Sequence, residues 1–296
     1  MGPIRLKYAL TQSKNLVSLR LYEALGEGVV LPFMQRFGFN PDEIPRNDLT
    51  VAIGSHSVLP LEVATGYTVF ANGGYKVEPH FITRIQNFND GEVFHAYPPT
   101  VCRQCEQGAQ ASDNSAMLED ALHTDNNLLP AAPRVIDIRT AYVMNTILHS
   151  VTTEGSGRAI SRNFTRRDLA GKTGTTNDNK DLWFSGFNGD FETTVYVGYD
   201  QPEGLGRNEQ AATVALPIWM DFMKAALEGK PENFMAQPDG LVTVKINRQT
   251  GLRAAPDEPG AIFEIFKEEE LPPYAVGDST FGAPPTTTTE SVENIF

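Results

Sequence analysis

Arg167-Asp168-Leu169-Ala170-Gly171-Lys172-Thr173-Gly174-Thr175-Thr176-Asn177, followed by Asp181-Leu182-Trp183-Phe184-Ser185-Gly186, is the stretch on which the fold turns. Residues 172–175, 182–187 and 193–199 read as strands, and Asn188-Gly189-Asp190 supplies a hairpin turn between the last two. A strand carrying Lys172-Thr173-Gly174-Thr175 can present an ammonium, two hydroxyls and a backbone N–H beside one groove. Gly174 has no Cβ, so another backbone can approach it closely. Such a set suits a carboxylate-ended substrate undergoing acyl transfer, in which an N–H receives the developing oxyanion. By itself the string also fits an exposed Lys-Thr turn at a sheet edge.

Outward from this stretch, helices and hairpins alternate. A helix is expected over residues 137–151, with Ile138, Ala141, Met144 and Leu148 on its buried face and Glu154-Gly155-Ser156-Gly157 as its breaker. Another spans residues 59–71, with Pro60 and Glu62 in its first turn and Asn72-Gly73-Gly74 as its stop. The first 27 residues suggest a loop and then a helix bearing Val17, Leu21, Ala24 and Leu25, ended by Gly26. Strands at residues 81–88 and 92–97 join through Asp90-Gly91. A long apolar helix covers residues 211–227, with Pro217 as a kink or a true start. Val242, Val244 and Ile246 alternate with polar residues before a turn at Gln249-Thr250-Gly251, which reads as a short hairpin. Beyond it, Pro284-Pro285 and four threonines form a tail with no reason to fold. The pattern is α+β: an antiparallel sheet flanked by helices.

Composition narrows the function classes. Of 296 residues, 41% are hydrophobic and 21% charged, which excludes a disordered or fibrous chain. No run approaches the ~18 apolar residues of a membrane span, and none reads as an export signal. Net charge is −13, and from Leu252 to Phe296 nine acidic residues face only Arg253 and Lys267. That balance argues against nucleic acid as a ligand and suits a solvated acidic tail. Residues 98–133 read as a polar surface insertion holding the two cysteines, Cys102 and Cys105. One C-x-x-C supplies half the ligands of a structural zinc, so a small-loop disulfide or two free thiols fit better than metal. No metal site and no cofactor are expected.

Acyl transfer needs a nucleophile with a base beside it. One known combination is S-x-x-K, S-x-N and K-T-G. None of the nine lysines has a serine three positions earlier; Thr11-Gln12-Ser13-Lys14 comes nearest. S-x-N occurs at Ser13/Asn15, Ser112/Asn114 and Ser161/Asn163. Ser112 sits in the polar insertion, a poor place to position a hydroxyl. Ser161 lies close in sequence to the K-T-G strand rather than across a cleft from it. Ser13, at a loop-to-helix turn, is the choice.

The run from Gly2 to Asn15 resembles the second-motif region of class A (bifunctional) penicillin-binding proteins. Pro60-Leu61-Glu62-Val63-Ala64 through Phe70-Ala71-Asn72-Gly73-Gly74 is similar to the helix that follows in that family. The stretch from Arg167 to Asn177, with Asp181 to Gly186, resembles its third motif and next strand. The resemblance covers about residues 2–255. It implies a D,D-transpeptidase of the penicillin-binding and serine β-lactamase-like fold, in which a serine attacks the D-Ala-D-Ala carbonyl of a peptidoglycan stem peptide. An amine from a neighbouring stem resolves the acyl-enzyme, and β-lactams mimic the donor. It implies catalytic roles for Ser13, relaying protons, and Lys172, keeping the potential positive. Asn15 would orient the acyl chain, the hydroxyls of Thr173 and Thr175 would hold the carboxylate, and the Thr175 N–H would serve the oxyanion.

The resemblance further implies the periplasmic side of a bacterial inner membrane, held there only through an N-terminal anchor outside this chain, with other cell-wall synthesis proteins as partners. The family places S-x-x-K upstream of S-x-N. The chain is therefore expected to be a C-terminal fragment, with residues 1–232 a transpeptidase domain incomplete at its N-terminus and 233–296 a hairpin with an acidic tail. Alone, it is expected neither to cross-link peptidoglycan nor to take penicillin, and to fold poorly. Two other readings stay open: a nucleophile-less relative that binds cell-wall peptides or a partner, and a related β-lactamase or D,D-carboxypeptidase.

Overall fold

Lys172, Ser185 and Thr194 stand at one level across an antiparallel meander of three strands, β3 (Ala170–Thr175), β4 (Leu182–Phe187) and β5 (Glu192–Val197). The computed structural model describes residues 2–88, 91–101 and 130–275. Ahead of the meander come α1 (Leu6–Thr11), α2 (Asn15–Leu25), α3 (Glu27–Arg36), a 3-10 turn (Leu49–Ile53) and α4 (Pro60–Asn72). The β1–β2 hairpin (Arg84–Gln86, Glu92–His95), α5 (Ile138–Glu154) and α6 (Ala159–Asn163) follow. After it come α7 (Ala215–Ala226) and the pair β6 (Leu241–Ile246) and β7 (Ile262–Lys267). Each hairpin forms a two-stranded sheet of its own, apart from the meander.

Alternation along the strands gives the meander two faces. Leu182 and Phe184 point to one face, where they are buried with Leu216, Trp219 and Met223 of α7 and Ile160 of α6. Trp219 is wholly buried there, and its indole N–H donates to the carbonyls of Thr193 (3.0 Å) and Gly186 (3.2 Å). That satisfies the polar atom which burial of a tryptophan would otherwise leave orphaned. Ala170 and Phe187 point the other way, against Leu148 and Met144 of α5 and Tyr67, Phe70 and Ala71 of α4. Helices on both faces of an antiparallel sheet make the fold α+β.

Local signals account for most of the elements. Pro60 opens α4 and the Glu62 carboxylate accepts the Leu59 N–H at 2.8 Å; Asp137 caps α5 by accepting the N–H groups of Arg139 and Thr140. Pro217 falls at the third residue of α7, inside the first turn, where its missing N–H costs nothing. Three features depart from the sequence reading. Helix α1 occupies part of the expected opening loop. Helix α3 follows Gly26 directly and carries Pro32 in its interior, which hid it. Along its length β6 pairs with β7, while the segment after residues 249–251 returns to it only at its end, through the antiparallel bridge Ile246–Arg253; in that turn Asn247 accepts the N–H groups of Gln249 and Thr250. Part of the supposed acidic tail is therefore a strand. Cys102, Cys105, Ser112, Asn114 and Asp90 lie outside the described residues.

The start of β3 is clamped. Arg166 grips Asp168 with two N–H donors, at 3.0 and 2.6 Å, and the Asp168 carboxylate also accepts from the Asn188 amide (3.0 Å) and the Asn233 backbone N–H (2.9 Å). Burial pushes this carboxyl up, but those four donors outweigh it and hold the group below the usual carboxylate range.

Candidate active site

Ser13 lies in the turn between α1 and α2, with φ +52°, a left-handed conformation that few non-glycine residues adopt. The turn is held by Ser13 N–H to the Leu10 carbonyl (3.1 Å) and Lys14 N–H to the Ala9 carbonyl (2.8 Å). From 159 residues away, Lys172 Nζ donates to Ser13 Oγ at 2.7 Å and to the Thr173 carbonyl at 2.8 Å. An ammonium has three donors, which leaves one for a ligand. Burial pulls the Lys172 pKa down to about 8, so the charged form still prevails at neutral pH. The alternative serine, Ser161, spends its hydroxyl on the Arg158 carbonyl at 3.0 Å within its own helix, and Asn163 bonds the Ala159 carbonyl.

The turn after α5 ties both halves together. Ser156 Oγ is 2.6 Å from Thr173 Oγ1, and the Gln12 amide donates to the Glu154 carbonyl at 3.1 Å. Gly155 permits this contact, because a Cβ there would fall 2.3 Å from the Thr11 carbonyl oxygen. In the sequence these residues read only as a helix breaker. Their role rests on contacts between segments remote in sequence, which a one-dimensional pattern does not carry.

Thr175 Oγ1 accepts the Ala211 N–H at 3.1 Å, so the Thr175 hydroxyl is anchored to the chain ahead of α7 and retains its proton for donation. Gly174 stands opposite Trp183, and a Cβ on it would lie 3.2 Å from Trp183 Cβ; close strand approach is thus a second reason for glycine there. Asn15, at the start of α2, and Thr175 open onto one groove of about 660 Å³, which Trp183, Tyr196 and His56 also line, whereas Ser13, Lys172 and Thr173 are not among its lining residues. The Trp183 and Tyr196 rings are 4.6 Å apart, and the Tyr196 hydroxyl donates to Asp181 at 2.9 Å. As the described edge of the meander, β3 also offers this side alternate backbone N–H groups that β4 does not use.

Behind Lys172, the sheet face under α4 and α5 carries a polar row. Thr194 Oγ1 is 2.8 Å from the buried Ser185 Oγ and 2.9 Å from Glu192 Oε1. Burial raises the Glu192 carboxyl to about 8, against the bond from Thr194, and it raises the Tyr67 phenol, helped by Glu192. Glu192 is thus mostly uncharged at neutral pH and does not offset the Lys172 ammonium across the sheet face; the groove itself is lined by Lys180, Asp178, Asp181 and Asp200. Among the described residues, no group of three metal-ligating side chains occurs, and no helix is long and apolar enough to cross a membrane.

A serine-bonded lysine on a K-T-G strand, beside an S-x-N turn and under a helix-covered antiparallel sheet, defines a class. The chain belongs to the penicillin-binding protein transpeptidase domain family, which it matches over residues 1–224. Among individual proteins, it is 46% identical to penicillin-binding protein 1A of Pseudomonas aeruginosa over 292 residues, covering 92% of this chain and 35% of that protein. Against penicillin-binding protein 1A of Neisseria gonorrhoeae it is 41% identical over 242 residues, covering 82% and 27%. The crystal structure of penicillin-binding protein 1A from Haemophilus influenzae superposes with a TM-score of 0.79 at 34% identity, over 93% of this chain and 42% of that one. The chain thus spans roughly a third of the length of these curated relatives.

Proposed function

We propose that this chain supplies most of the D,D-transpeptidase site of a class A penicillin-binding protein. The observation that carries the reading is the 2.7 Å bond from Lys172 Nζ to Ser13 Oγ beside the hydroxyls of Thr173 and Thr175, in a chain of this family. The substrate is a peptidoglycan stem peptide ending in D-Ala-D-Ala. Its carboxylate would lie against Lys172, Thr173 and Thr175, and its acyl chain against the Asn15 amide. A serine Oγ forms a bond to the penultimate carbonyl carbon as its proton passes to the lysine of its own S-x-x-K segment, the C–N bond to the last D-Ala breaks, and Ser13 relays that proton to the departing nitrogen. The Thr175 N–H takes the oxyanion, a donor whose loss typically costs ~3 kcal/mol. An amine of a second stem then displaces the serine and completes the cross-link.

Because no serine of this chain precedes a lysine by three residues, we assign the attack to a serine of an S-x-x-K segment outside these 296 residues. The periplasmic face of the inner membrane, an anchor outside this chain, and other cell-wall synthesis proteins as partners belong to the same reading. So does a division into the transpeptidase part, residues 1–232, and the C-terminal part, 233–296. A fluorescent penicillin tests it. The complete gene product should be labelled and this chain alone should not; labelling of any residue of the chain by itself would refute the assignment.

A further inference from the structure

We infer that Ser156 is a positioning residue that aims the Thr173 hydroxyl at the substrate carboxylate and locks it to the Ser13 turn. The inference rests on the reading of the site just given. Ser156 Oγ and Thr173 Oγ1 are 2.6 Å apart, close enough that one hydroxyl donates to the other. Direction follows from the ligand. A carboxylate only accepts, so Thr173 must keep its own proton for it. The Ser156 proton therefore points to Thr173 Oγ1, and the Thr173 proton is left for the carboxylate. One rotor fixes the next, and a donor held in place before binding loses less freedom when the ligand arrives.

Ser156 is itself held by the other half of the site. Its N–H faces the Thr11 carbonyl at 3.4 Å, Gln12 bonds the Glu154 carbonyl, and Gly155 packs against the same Thr11 oxygen. Two residues beyond Thr11 stands Ser13, bonded to Lys172. The loop from Thr11 to Ser13, the turn from Glu154 to Ser156, and the strand pair Lys172-Thr173 thus close a ring of contacts. Removing the Ser156 hydroxyl opens the ring at the point that serves the carboxylate and leaves the Lys172–Ser13 contact in place.

The test compares acylation of the complete gene product by benzylpenicillin and by its methyl ester, which lacks the carboxylate charge. Ser156→Ala should slow the reaction with benzylpenicillin about five- to tenfold, the worth of one hydrogen bond, and slow the reaction with the ester about two- to threefold at most, since its oxygens are uncharged and weaker acceptors. Ser156→Thr should restore the benzylpenicillin rate. Ser156→Cys, close in volume but a weak donor, should repeat the alanine pattern if alanine prevents folding. Equal losses with both compounds would mark a merely structural role, and no loss with either would also overturn the inference. A wild-type protein inert to both compounds would instead overturn the transpeptidase reading itself.

Discussion

Lys172 Nζ and Ser13 Oγ meet at 2.7 Å, although 159 residues separate them. Each comes from a rigid support. Lys172 stands on a strand fixed at its start by Asp168, and Ser13 on a turn pressed against the end of α5.

Lys172 titrates near 8 because burial disfavours its charge. Acylation of the complete gene product by benzylpenicillin should fall as pH rises through about 8, when the ammonium that attracts the carboxylate is lost. Lys172→Met should lower that rate ~100-fold or more at neutral pH. The same variant should melt higher than wild type at pH 7. A lysine whose folded pKa lies below 10.5 destabilises the native state while it is charged there, and stability recovers only between about 8 and 10.5. A lower melting temperature for Lys172→Met at pH 7 would contradict this.

Glu192 shifts the other way, from 4.5 to about 8. The native state then holds a proton that the unfolded chain releases, so stability should decline as pH climbs from 4.5 to about 8. Glu192→Gln removes the titrating group. Denaturant titrations at pH 5 and pH 8.5 should show a smaller difference for the variant than for wild type, with the variant the more stable at pH 8.5.

Asp168 carries a depressed pKa, which gives stability that is present above its unfolded value and lost as pH falls through the folded one. Asp168→Ala should therefore cost about 3 kcal/mol at pH 7, as expected when one partner of a buried pair is removed. The cost should shrink in strongly acidic buffer, where wild type has already lost the same contacts. Chemical denaturation at two pH values measures both.

Gly155→Ala should cost about 1–3 kcal/mol through overpacking, because the new Cβ meets the Thr11 carbonyl oxygen. The added methyl lies on the side of the turn facing α1, so it should also slow acylation by both benzylpenicillin and its methyl ester. That pattern separates displacement of the Ser13 turn from loss of a carboxylate contact.

The meander was legible in the sequence because Lys172 to Thr175, Leu182 to Phe187 and the Asn188-Gly189 turn each point to the same arrangement. Helices α4 and α5 were legible through their apolar spacing and their breaking glycines. Helix α3 was not, since Pro32 and Gly28 are poor helix formers and packing of Leu31 beside Tyr22 overrides them. Strand β7 was hidden by Glu264 and the acidic run after Lys267, although Ile262, Phe263, Ile265 and Phe266 give it an apolar backbone of side chains. At the site, the K-T-G strand was evident as a string. Ser156 was not, because one hydroxyl gains meaning only from the hydroxyl that it faces.

Glu264 of β7 accepts from Arg5 at 3.0 Å and from Lys7 at 2.5 Å, one residue ahead of α1 and one residue within it. The Arg5 guanidinium also bonds the Arg248 carbonyl at 2.8 Å, in the loop between β6 and β7. Helix α1 is only six residues long, about 9 Å from end to end, and Ser13 follows two residues after its far end. The C-terminal hairpin therefore works as an outrigger for the Ser13 turn: a single carboxylate on it anchors the base of the short helix beyond whose far end the serine sits.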